Sequence, residues 1–207
     1  MVCIVSVGIF FSCKDKTVDY GYDRYYVEIV TAQNGNEFLS DNGKRIVATS
    51  NENLKTYAFG ERVLLNYTLL STTDSGDSYN VRINGSSKIS SGKISLTNDS
   101  VIRSAATDPI RLESVWLGSH YINMHFYLNF KSEAHKIGLL IDSTRLGSDT
   151  LRMYFTHDTG ADPPGYPVQT YLSFDLSATI GAPGKARPIW VQMNTSNYGN
   201  KAVELKY

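Results

Sequence analysis

Apolar and polar residues alternate along much of the chain after residue 24, a pattern that predicts strands. The clearest alternation runs from His120 to Phe130, where every second residue from Ile122 onward is apolar. A second alternating segment runs from Arg62 to Leu70. No segment keeps an apolar stripe at the 3.6-residue helical period over three turns. The sequence therefore predicts an all-β protein.

The predicted strands before residue 107 are short and closely spaced, as in a small barrel of the OB type. The Asn42-Gly43 pair between two of them favours a tight hairpin in which both residues have positive φ. We therefore assign residues 24–106 to an OB-like barrel. Its strands are Tyr25–Thr31, Phe38–Leu39, Arg45–Thr49, Arg62–Leu70 and Tyr79–Ile83, and Ile89, Ile94 and Leu96 complete the series.

A domain boundary is predicted just before residue 107, where small residues precede Pro109 and the strand pattern lapses. Residues 107–207 show further strands at intervals typical of a β-sandwich. Proline has no N–H to donate, so the proline-rich segment Asp158–Pro167 is expected to be a surface loop. The strands are Ile110–Leu117, His120–Phe130, Ile137–Asp142, Leu151–Thr156, Gln169–Leu176, Ile189–Met193 and Ala202–Tyr207.

The first thirteen residues indicate export. Their apolar run is shorter than the roughly 20 residues of a membrane-spanning helix but suits the apolar part of a secretory signal. The run ends in Ser12-Cys13, and a small residue before cysteine resembles the lipobox of bacterial lipoproteins. That resemblance implies signal cleavage, acylation of Cys13 and a membrane anchor, with residues 14–23 as a linker. The alternative is a buried N-terminal strand with an incidental cysteine.

Composition narrows the chemistry of the mature chain. The only cysteines are Cys3, within the removable run, and Cys13, which the lipid would occupy. A cysteine nucleophile, a thiolate zinc site and a disulfide framework are therefore excluded. The formal net charge is +0, whereas nucleic-acid-binding domains usually carry a basic excess. We predict no nucleic-acid partner.

Six stretches form a recognisable set of motifs that extends over nearly all of the mature chain. They are the lipobox, Phe38–Lys44, Val63–Leu70, Asp108–Ile110, Trp116–Asn123 and Glu204–Tyr207. Together they resemble the NigD-like family. The resemblance implies an envelope lipoprotein of a Gram-negative bacterium with an N-terminal OB domain and a C-terminal β-sandwich, and we expect it at the outer membrane. The family has been suggested to confer immunity to bacteriocins, and it offers no catalytic motif to transfer.

Catalytic and metal-binding patterns are weak. His157 is followed by Asp158 and Asp162, but a metal there would need further ligands, and a solvated loop is the favoured interpretation. The sequence lacks the Gly-x-Ser-x-Gly elbow, and no carboxylate pair stands out for glycoside hydrolysis. We therefore predict no enzyme activity, no cofactor and no metal.

Aromatic residues near two loops supply the candidate binding surface. Tyrosine and tryptophan combine an apolar body with a polar tip, so they can contact sugars or proteins. The alternative, for Trp116 and Tyr171 in particular, is packing in the core. The candidate residues are Trp116, Tyr121, Tyr154, His157, Tyr166 and Tyr171.

The sequence thus predicts a non-enzymatic binding protein anchored in the cell envelope by a lipid. Its predicted partners are the membrane and either a bacteriocin or a glycan. An enzyme acting on envelope glycans is one alternative. A structural subunit that adds the edge segment Ala202–Tyr207 to a partner's sheet is another.

Overall fold

The fold is described from a computed structural model. It covers residues 24–50, 52, 54–73, 75–177 and 187–206. The predicted signal and lipobox at 1–13 and the linker at 14–23 lie outside these residues. Within the described part of the chain, the regular structure is almost entirely strand, which confirms the all-β prediction.

The first five strands form a closed barrel in the order β1-β2-β3-β5-β4. Strands β3 and β5 run parallel, and all other neighbours are antiparallel. Alternate apolar side chains of each strand fill the interior, with Val30, Phe38, Ile46, Leu65 and Val81 almost completely buried. The five-stranded barrel confirms the OB-type prediction. The strands are β1 (Tyr25–Ala32), β2 (Glu37–Ser40), β3 (Arg45–Ala48), β4 (Arg62–Thr72) and β5 (Ser78–Lys88).

The hairpin between β2 and β3 differs from the expectation. Only Gly43 has a positive φ there, at 84°, whereas Asn42 does not. The Gly43 N–H donates to the carbonyl of Ser40, and the Ser40 N–H donates to that of Lys44. The prediction of positive φ at both residues was therefore wrong. One left-handed residue after an ordinary turn closes this longer loop.

The remaining strands form a second sheet in the order β13-β12-β10-β9-β6-β11-β8-β7. It folds over on itself at β6, whose residues 90–92 pair with β11 and whose residues 93–97 pair with β9. The elements are β6 (Ser90–Thr97), the short helix α1 (Asp99–Ser104), β7 (Arg111–Gly118), β8 (Tyr121–Phe130), β9 (Lys136–Asp142), a 3₁₀ turn (Ser143–Arg145), β10 (Leu151–Asp158), β11 (Tyr166–Asp175), β12 (Ile189–Thr195) and β13 (Gly199–Leu205).

The fold at β6 creates two packed leaves. We call β7, β8 and β11 the proximal leaf, because it contacts the barrel, and β9, β10, β12 and β13 the distal leaf. Phe126 and Phe174 of the proximal leaf pack edge-on against Phe155 of the distal leaf. These rings lie in one core with Ile122, Met124, Leu139, Met153 and Val191. The arrangement is a β-sandwich, as predicted.

Two strand assignments need correction. The pattern of Ile94 and Leu96 placed that segment in the barrel, but β6 belongs to the second sheet. Alternation shows which residues share a face of a strand, but it does not show which strands lie beside it. It therefore could not decide whether β6 belongs to the barrel or to the second sheet. In addition, Pro167 lies within β11, opposite Asn129, and not in a loop. Strand β11 pairs with β6 only at Leu172–Phe174. The missing N–H of Pro167 therefore costs no backbone hydrogen bond between β11 and β6.

Candidate functional site

The barrel meets the sandwich at an arginine that is almost completely buried. Arg62 is 2 % exposed and forms a two-pronged ion pair with Asp41, at 2.7 Å between Nη1 and Oδ1 and 2.8 Å between Nη2 and Oδ2. Planar guanidinium and carboxylate groups match in this geometry, which makes such pairs directional as well as strong. Asp41 comes from the β2–β3 hairpin, so the pair holds that hairpin against the start of β4.

The other Arg62 donors are also used. Nη1 donates to Thr31 Oγ1 at 2.7 Å, Nη2 to Asn123 Oδ1 at 3.1 Å, and Nε to Ser173 Oγ at 3.2 Å. All five N–H groups of the guanidinium therefore have acceptors. Its carbon also lies 4.0 Å from the centre of the Tyr121 ring. We call Arg62, Asp41, Thr31, Asn123 and Ser173 the Arg62 clasp.

The proximal leaf presents its half of the clasp on its outer face. Asn123 and Ser173 are register partners across β8 and β11, and Asn123 also donates to Asp41 Oδ2 at 2.7 Å. Ser173 donates to Asn123 Oδ1 at 2.6 Å. The alternation that sends Ile122 and Met124 into the core sends Asn123 to the opposite face. The clasp therefore fixes the barrel on the sandwich through a fully hydrogen-bonded polar network.

A cleft of about 400 Å³ opens beside the clasp. We call it the junction cleft. Its walls are Val27–Ile29 of β1, Asp41–Asn42 of the hairpin, and residues 116–119 at the end of β7. Gly118 is required here, because a Cβ would lie 2.1 Å from Asp41 Oδ2. Ser119, at the rim, has φ 54°, and left-handed backbone in a residue other than glycine is often found at binding sites.

Glu28 borders this cleft through β1, but its side chain lies on the same face of the strand as Val30 and Ala32, which fill the barrel. Burial raises the pKa of Glu28, the hydrogen bond from Tyr67 lowers it, and the nearby Asp41 charge raises it again, with a net upward shift. The Tyr67 hydroxyl donates to Glu28 Oε1, and burial together with Glu28 raises the pKa of Tyr67 in turn. The carboxylate of Glu28 therefore belongs to the barrel interior.

The predicted surface residues are distributed over several parts of the molecule. Trp116, Tyr121 and Tyr171 lie on the outer face of the proximal leaf, where Tyr121 is covered by Arg62 and Trp116 borders the junction cleft. The Tyr171 ring stacks on His125, with centroids 4.3 Å apart and planes 7° apart. These side chains are half-buried, so neither full core packing nor full exposure describes them.

The other three candidates lie elsewhere. Tyr154 is on the outer face of the distal leaf, since its neighbours Met153 and Phe155 point into the core. Tyr166 begins β11 and is 82 % exposed. His157 is 1 % exposed, so the expectation of a solvated loop at this residue was wrong. Strand β10 extends to Asp158 and places His157 on the inner side of its leaf.

His157 belongs to a buried chain of hydrogen bonds. Its Nδ1 donates to the carbonyl of Asp108 at 3.0 Å, its Nε2 lies 2.9 Å from Nδ1 of His135, and Nε2 of His135 lies 3.0 Å from Asp162 Oδ2. Asp162 also accepts the backbone N–H groups of residues 131–133. This chain, the histidine relay, joins the β8–β9 turn, the proline loop and the segment before β7.

The partners determine where the hydrogens of the relay lie. A carbonyl and a carboxylate can only accept, so His157 Nδ1 and His135 Nε2 both carry hydrogen, and one more hydrogen lies between the rings. Burial has the largest effect on the pKa of His157 and lowers it. The hydrogen bond to the Asp108 carbonyl raises this pKa and the nearby His135 lowers it, so that the net shift is downward. His157 is therefore the neutral ring.

The relay does not resemble a metal site. Among the residues that the structure describes, no group of three or more His, Cys, Asp or Glu side chains is arranged to hold a metal ion. The imidazole nitrogens instead bind each other and backbone or carboxylate oxygens. The same part of the chain has no helix with the length and apolar character needed to cross a bilayer.

Neither Arg62 nor Glu28 was predicted from the sequence. Arg62 lies at an outward position of an alternating strand, where a charged residue is expected to be solvent-exposed. Glu28 lies on the face of β1 that also carries Val30 and Ala32, which fill the barrel. The burial of Arg62 depends on the sandwich covering it, and that contact is between residues 61 and 111 positions apart. The available signal was the polar pair Asn123 and Ser173 within two otherwise apolar strands.

Comparison with known proteins adds a family and a fold. Residues 93–207 match the family described as the NigD-like C-terminal beta sandwich domain. No curated protein matches the chain. Among solved structures, a protein of unknown function, DUF1344, from Bacteroides vulgatus is similar with a TM-score of 0.72 and 20% identity, covering 89% of this chain and 91% of that chain.

Two further structures show the same fold at low identity. A NigD-like immunity protein from Bacteroides caccae is 22% identical, with a TM-score of 0.62 over 87% of this chain and 90% of its own. A protein of Bacteroides fragilis described as a candidate lipoprotein is 12% identical, with a TM-score of 0.62 over 89% of this chain and 98% of its own. The likeness extends over the barrel as well as the sandwich.

Proposed function

Because the chain belongs to the NigD-like family, we propose that it is a non-enzymatic binding protein of the bacterial cell envelope. The observation that carries this proposal is the junction cleft, a cavity of about 400 Å³ between two parts of the molecule that the Arg62 clasp holds together. Ligand pockets commonly have volumes of roughly 300–1,000 Å³ and lie at such junctions. A preformed cleft binds without a large ordering cost.

The histidine relay supports binding over catalysis. His135 and His157 are the imidazoles with the most elaborate surroundings, but their ring nitrogens are engaged with each other, Asp108 and Asp162. The side chains of His135 and Asp162 are 3 % and 1 % exposed. A general acid or base must reach its substrate within hydrogen-bond distance. These groups are sealed inside the sandwich and serve the fold.

The envelope location rests on the N-terminal sequence together with the names of two similar structures, a NigD-like immunity protein and a candidate lipoprotein. In this proposal the apolar leader is removed and Cys13 is acylated. Several acyl chains anchor a protein far more firmly than the single chain that binds reversibly. The barrel and sandwich would then remain at the outer membrane, tethered by residues 14–23.

The Cys13→Ser variant tests the anchor. We expect the wild-type protein to remain with the membrane fraction after a high-salt wash, because acyl chains hold it there, and the variant to appear in the soluble fraction. Immunoblots of the two fractions measure the distribution. A Ser12→Ala variant, which keeps a small residue before the cysteine, is the matched control and is expected to stay with membranes. Unchanged membrane partitioning of the Cys13→Ser protein would rule out the lipid anchor.

Immunity to a bacteriocin is the specific envelope function that we propose. We expect a deletion strain to become sensitive to at least one member of a bacteriocin panel, and the wild-type gene to restore resistance. Trp116→Ala, which removes a wall of the junction cleft, is expected not to restore it. Trp190→Ala removes an exposed tryptophan of the distal leaf and is the control. Growth inhibition is the measurement.

The outcomes of this experiment separate two claims. Unchanged sensitivity of the deletion strain over the whole panel would remove the immunity function. Full resistance from the Trp116→Ala gene would leave immunity standing and show that the junction cleft does not provide it.

A further inference from the structure

A second cavity lies on the outer face of the distal leaf, and we call it the distal pocket. Its volume is about 250 Å³. The distal leaf turns this face away from the sandwich core and from the proximal leaf, which contacts the barrel. The distal pocket therefore shares no residue with the junction cleft. Its walls are residues 154–156 of β10, residues 192–194 of β12, Asn200 of β13, and Ile102, Arg103 and Thr107 of α1 and the segment that follows it.

Alternation along β12 determines which of its side chains face the pocket. Val191 and Met193 lie in the core, so Gln192 and Asn194 point to the outer face. Register partners share a face of the sheet, and Asn200 pairs with Asn194 across β12 and β13. The three amide side chains therefore lie together on the outer face, where they line the distal pocket.

Tyr154 gives the distal pocket an aromatic wall. It points to the same outer face and is the register partner of Gln192 across β10 and β12. Its side chain is half-buried and combines an apolar ring with a polar tip. Ile102 of α1 also lines the pocket. The distal pocket therefore has apolar walls beside its amide groups.

The amide groups have hydrogen-bonding capacity that the fold does not use. Asn194 Nδ2 donates to the carbonyl of Thr107 at 2.8 Å, which orients this side chain and leaves its Oδ1 as an acceptor. The side chains of Gln192 and Asn200 form no hydrogen bond with another residue that the structure describes. Each primary amide provides two donor hydrogens and a carbonyl acceptor. A ligand in the distal pocket therefore meets both donors and acceptors.

The distal pocket also has no uncompensated charge. Among the described residues that line it, Arg103 is the only charged side chain, and Arg103 pairs with Asp99 within α1. An uncharged hexose ring has the matching chemistry, because each hydroxyl both donates and accepts while the C–H groups form an apolar face. The volume of about 250 Å³ suits one such ring, since pockets for larger ligands have roughly 300–1,000 Å³.

We infer that the distal pocket binds one uncharged hexose unit of a glycan, with Tyr154 against a face of the sugar ring and the three amide side chains at its hydroxyl groups. The inference goes beyond the proposed function, because it involves neither the junction cleft nor immunity. A peptide is a less suitable occupant. An extended peptide commonly adds to a free sheet edge, whereas β10 and β12 are both paired on two sides.

Heteronuclear NMR of the isotopically labelled full chain tests the inference. Side-chain amides give their own N–H signals, and the Gln192→Ala and Asn200→Ala variants identify those of the distal pocket by their loss. The probes are the methyl glycosides of glucose, galactose, mannose and N-acetylglucosamine. We expect at least one glycoside to shift both signals saturably, with a Kd on the order of 1–10 mM, as small ligands of this size give. N-acetylglycine N-methylamide, a peptide probe without hydroxyl groups, is expected to shift neither signal.

Variants of the wall residues locate the binding. Tyr154→Ala is expected to weaken glycoside binding about tenfold, because it removes the aromatic surface, whereas Tyr154→Phe keeps the ring and is expected to retain binding. Asn200→Ala is expected to weaken binding about fivefold through the loss of hydrogen bonds. Asn129→Ala removes an exposed asparagine of β8 on the other leaf and is the matched control. The backbone N–H spectrum of each variant confirms that it is folded before titration.

Three results would overturn the inference. If none of the glycosides shifts the Gln192 and Asn200 signals at concentrations well above the expected Kd, the distal pocket does not bind a hexose. If the peptide probe binds as well as the glycosides, the pocket does not select a sugar. Unchanged glycoside binding by Tyr154→Ala would place the sugar elsewhere. The proposed function fails on a different result, the unchanged bacteriocin sensitivity of the deletion strain.

Discussion

Replacing Arg62 with methionine is expected to lower the free energy of unfolding by about 3–5 kcal/mol. Methionine fills a similar volume but leaves Asp41 without its counter-charge, and the side chain of Asp41 is only 15% exposed. Thr31, Asn123 and Ser173 lose a donor at the same time. Breaking one half of a buried ion pair costs more than removing both halves. Urea unfolding followed by circular dichroism measures the change.

The Arg62 clasp also links the barrel to the sandwich, so its loss has a second expected effect. The wild-type protein should unfold in one transition, and the Arg62→Met protein should show the barrel unfolding separately. Gly118→Ala tests the same link from the other side, because the added Cβ would displace the Asp41 carboxylate. Arg45→Met removes an arginine from an exposed ion pair with Glu37 and is expected to have little effect. A wild-type level of stability in Arg62→Met would show that the clasp does not stabilise the fold.

Replacing His157 with glutamine is expected to lower the free energy of unfolding at pH 7 by about 1–3 kcal/mol and to flatten its dependence on acid pH. The pKa of His157 lies below its ordinary value of 6.5. The unfolded chain therefore takes up a proton below about pH 6.5 that the folded chain does not, and wild-type stability falls as the pH drops through that range. A proton added to Nε2 of His157 would point at the hydrogen that already lies between the two rings.

Asp162 is expected to cause a separate loss of stability at lower pH. Burial alone would raise the pKa of Asp162, but the N–H donors of residues 131–133 and the bond from His135 outweigh it, and the pKa lies below the ordinary 3.8. Its contribution is therefore complete above about pH 4 and disappears below that value. Thermal unfolding at pH 7, 5 and 3 separates the two steps.

The histidine controls make the test specific. His120→Gln replaces an exposed histidine in the β7–β8 turn. This variant should lose as much stability between pH 7 and pH 5 as the wild type. The pKa of His125 is also lowered by burial, so His125→Gln is expected to remove a smaller part of that loss. If His157→Gln loses as much stability between pH 7 and 5 as the wild type, the relay is not its source.

Strand patterns were readable from the sequence because alternation reflects local geometry. The segment from His120 to Phe130 has a buried face that a period of two predicts directly, and Ile122, Met124 and Phe126 are indeed in the core. Which strands lie side by side could not be predicted in this way. Ile94 and Leu96 show the same alternation whether β6 lies in a barrel or at the fold of a sandwich, so their sheet could not be deduced.

The candidate site was less predictable for the same reason. Trp116 could be selected by residue type and lies at the junction cleft, but Arg62 and Glu28 depend on contacts across the tertiary structure. His157 was judged by its polar sequence neighbours, whereas its burial follows from pairing with β9 through Ile137. A single sequence contains no direct record of such distant contacts. The Cys13 assignment lies outside the described residues and stays a prediction.

The shared strand β6 has a practical consequence for work with fragments. Only Ile89 separates it from β5, and its residues 90–92 cover the edge of β11 at Leu172–Phe174. A fragment that starts at residue 93, where the family match begins, would cut through β6 and expose those backbone groups. An uncovered sheet edge of this kind recruits strands from other molecules. Expression of the sandwich alone should therefore begin no later than residue 89, so that the edge remains closed and the product stays monodisperse.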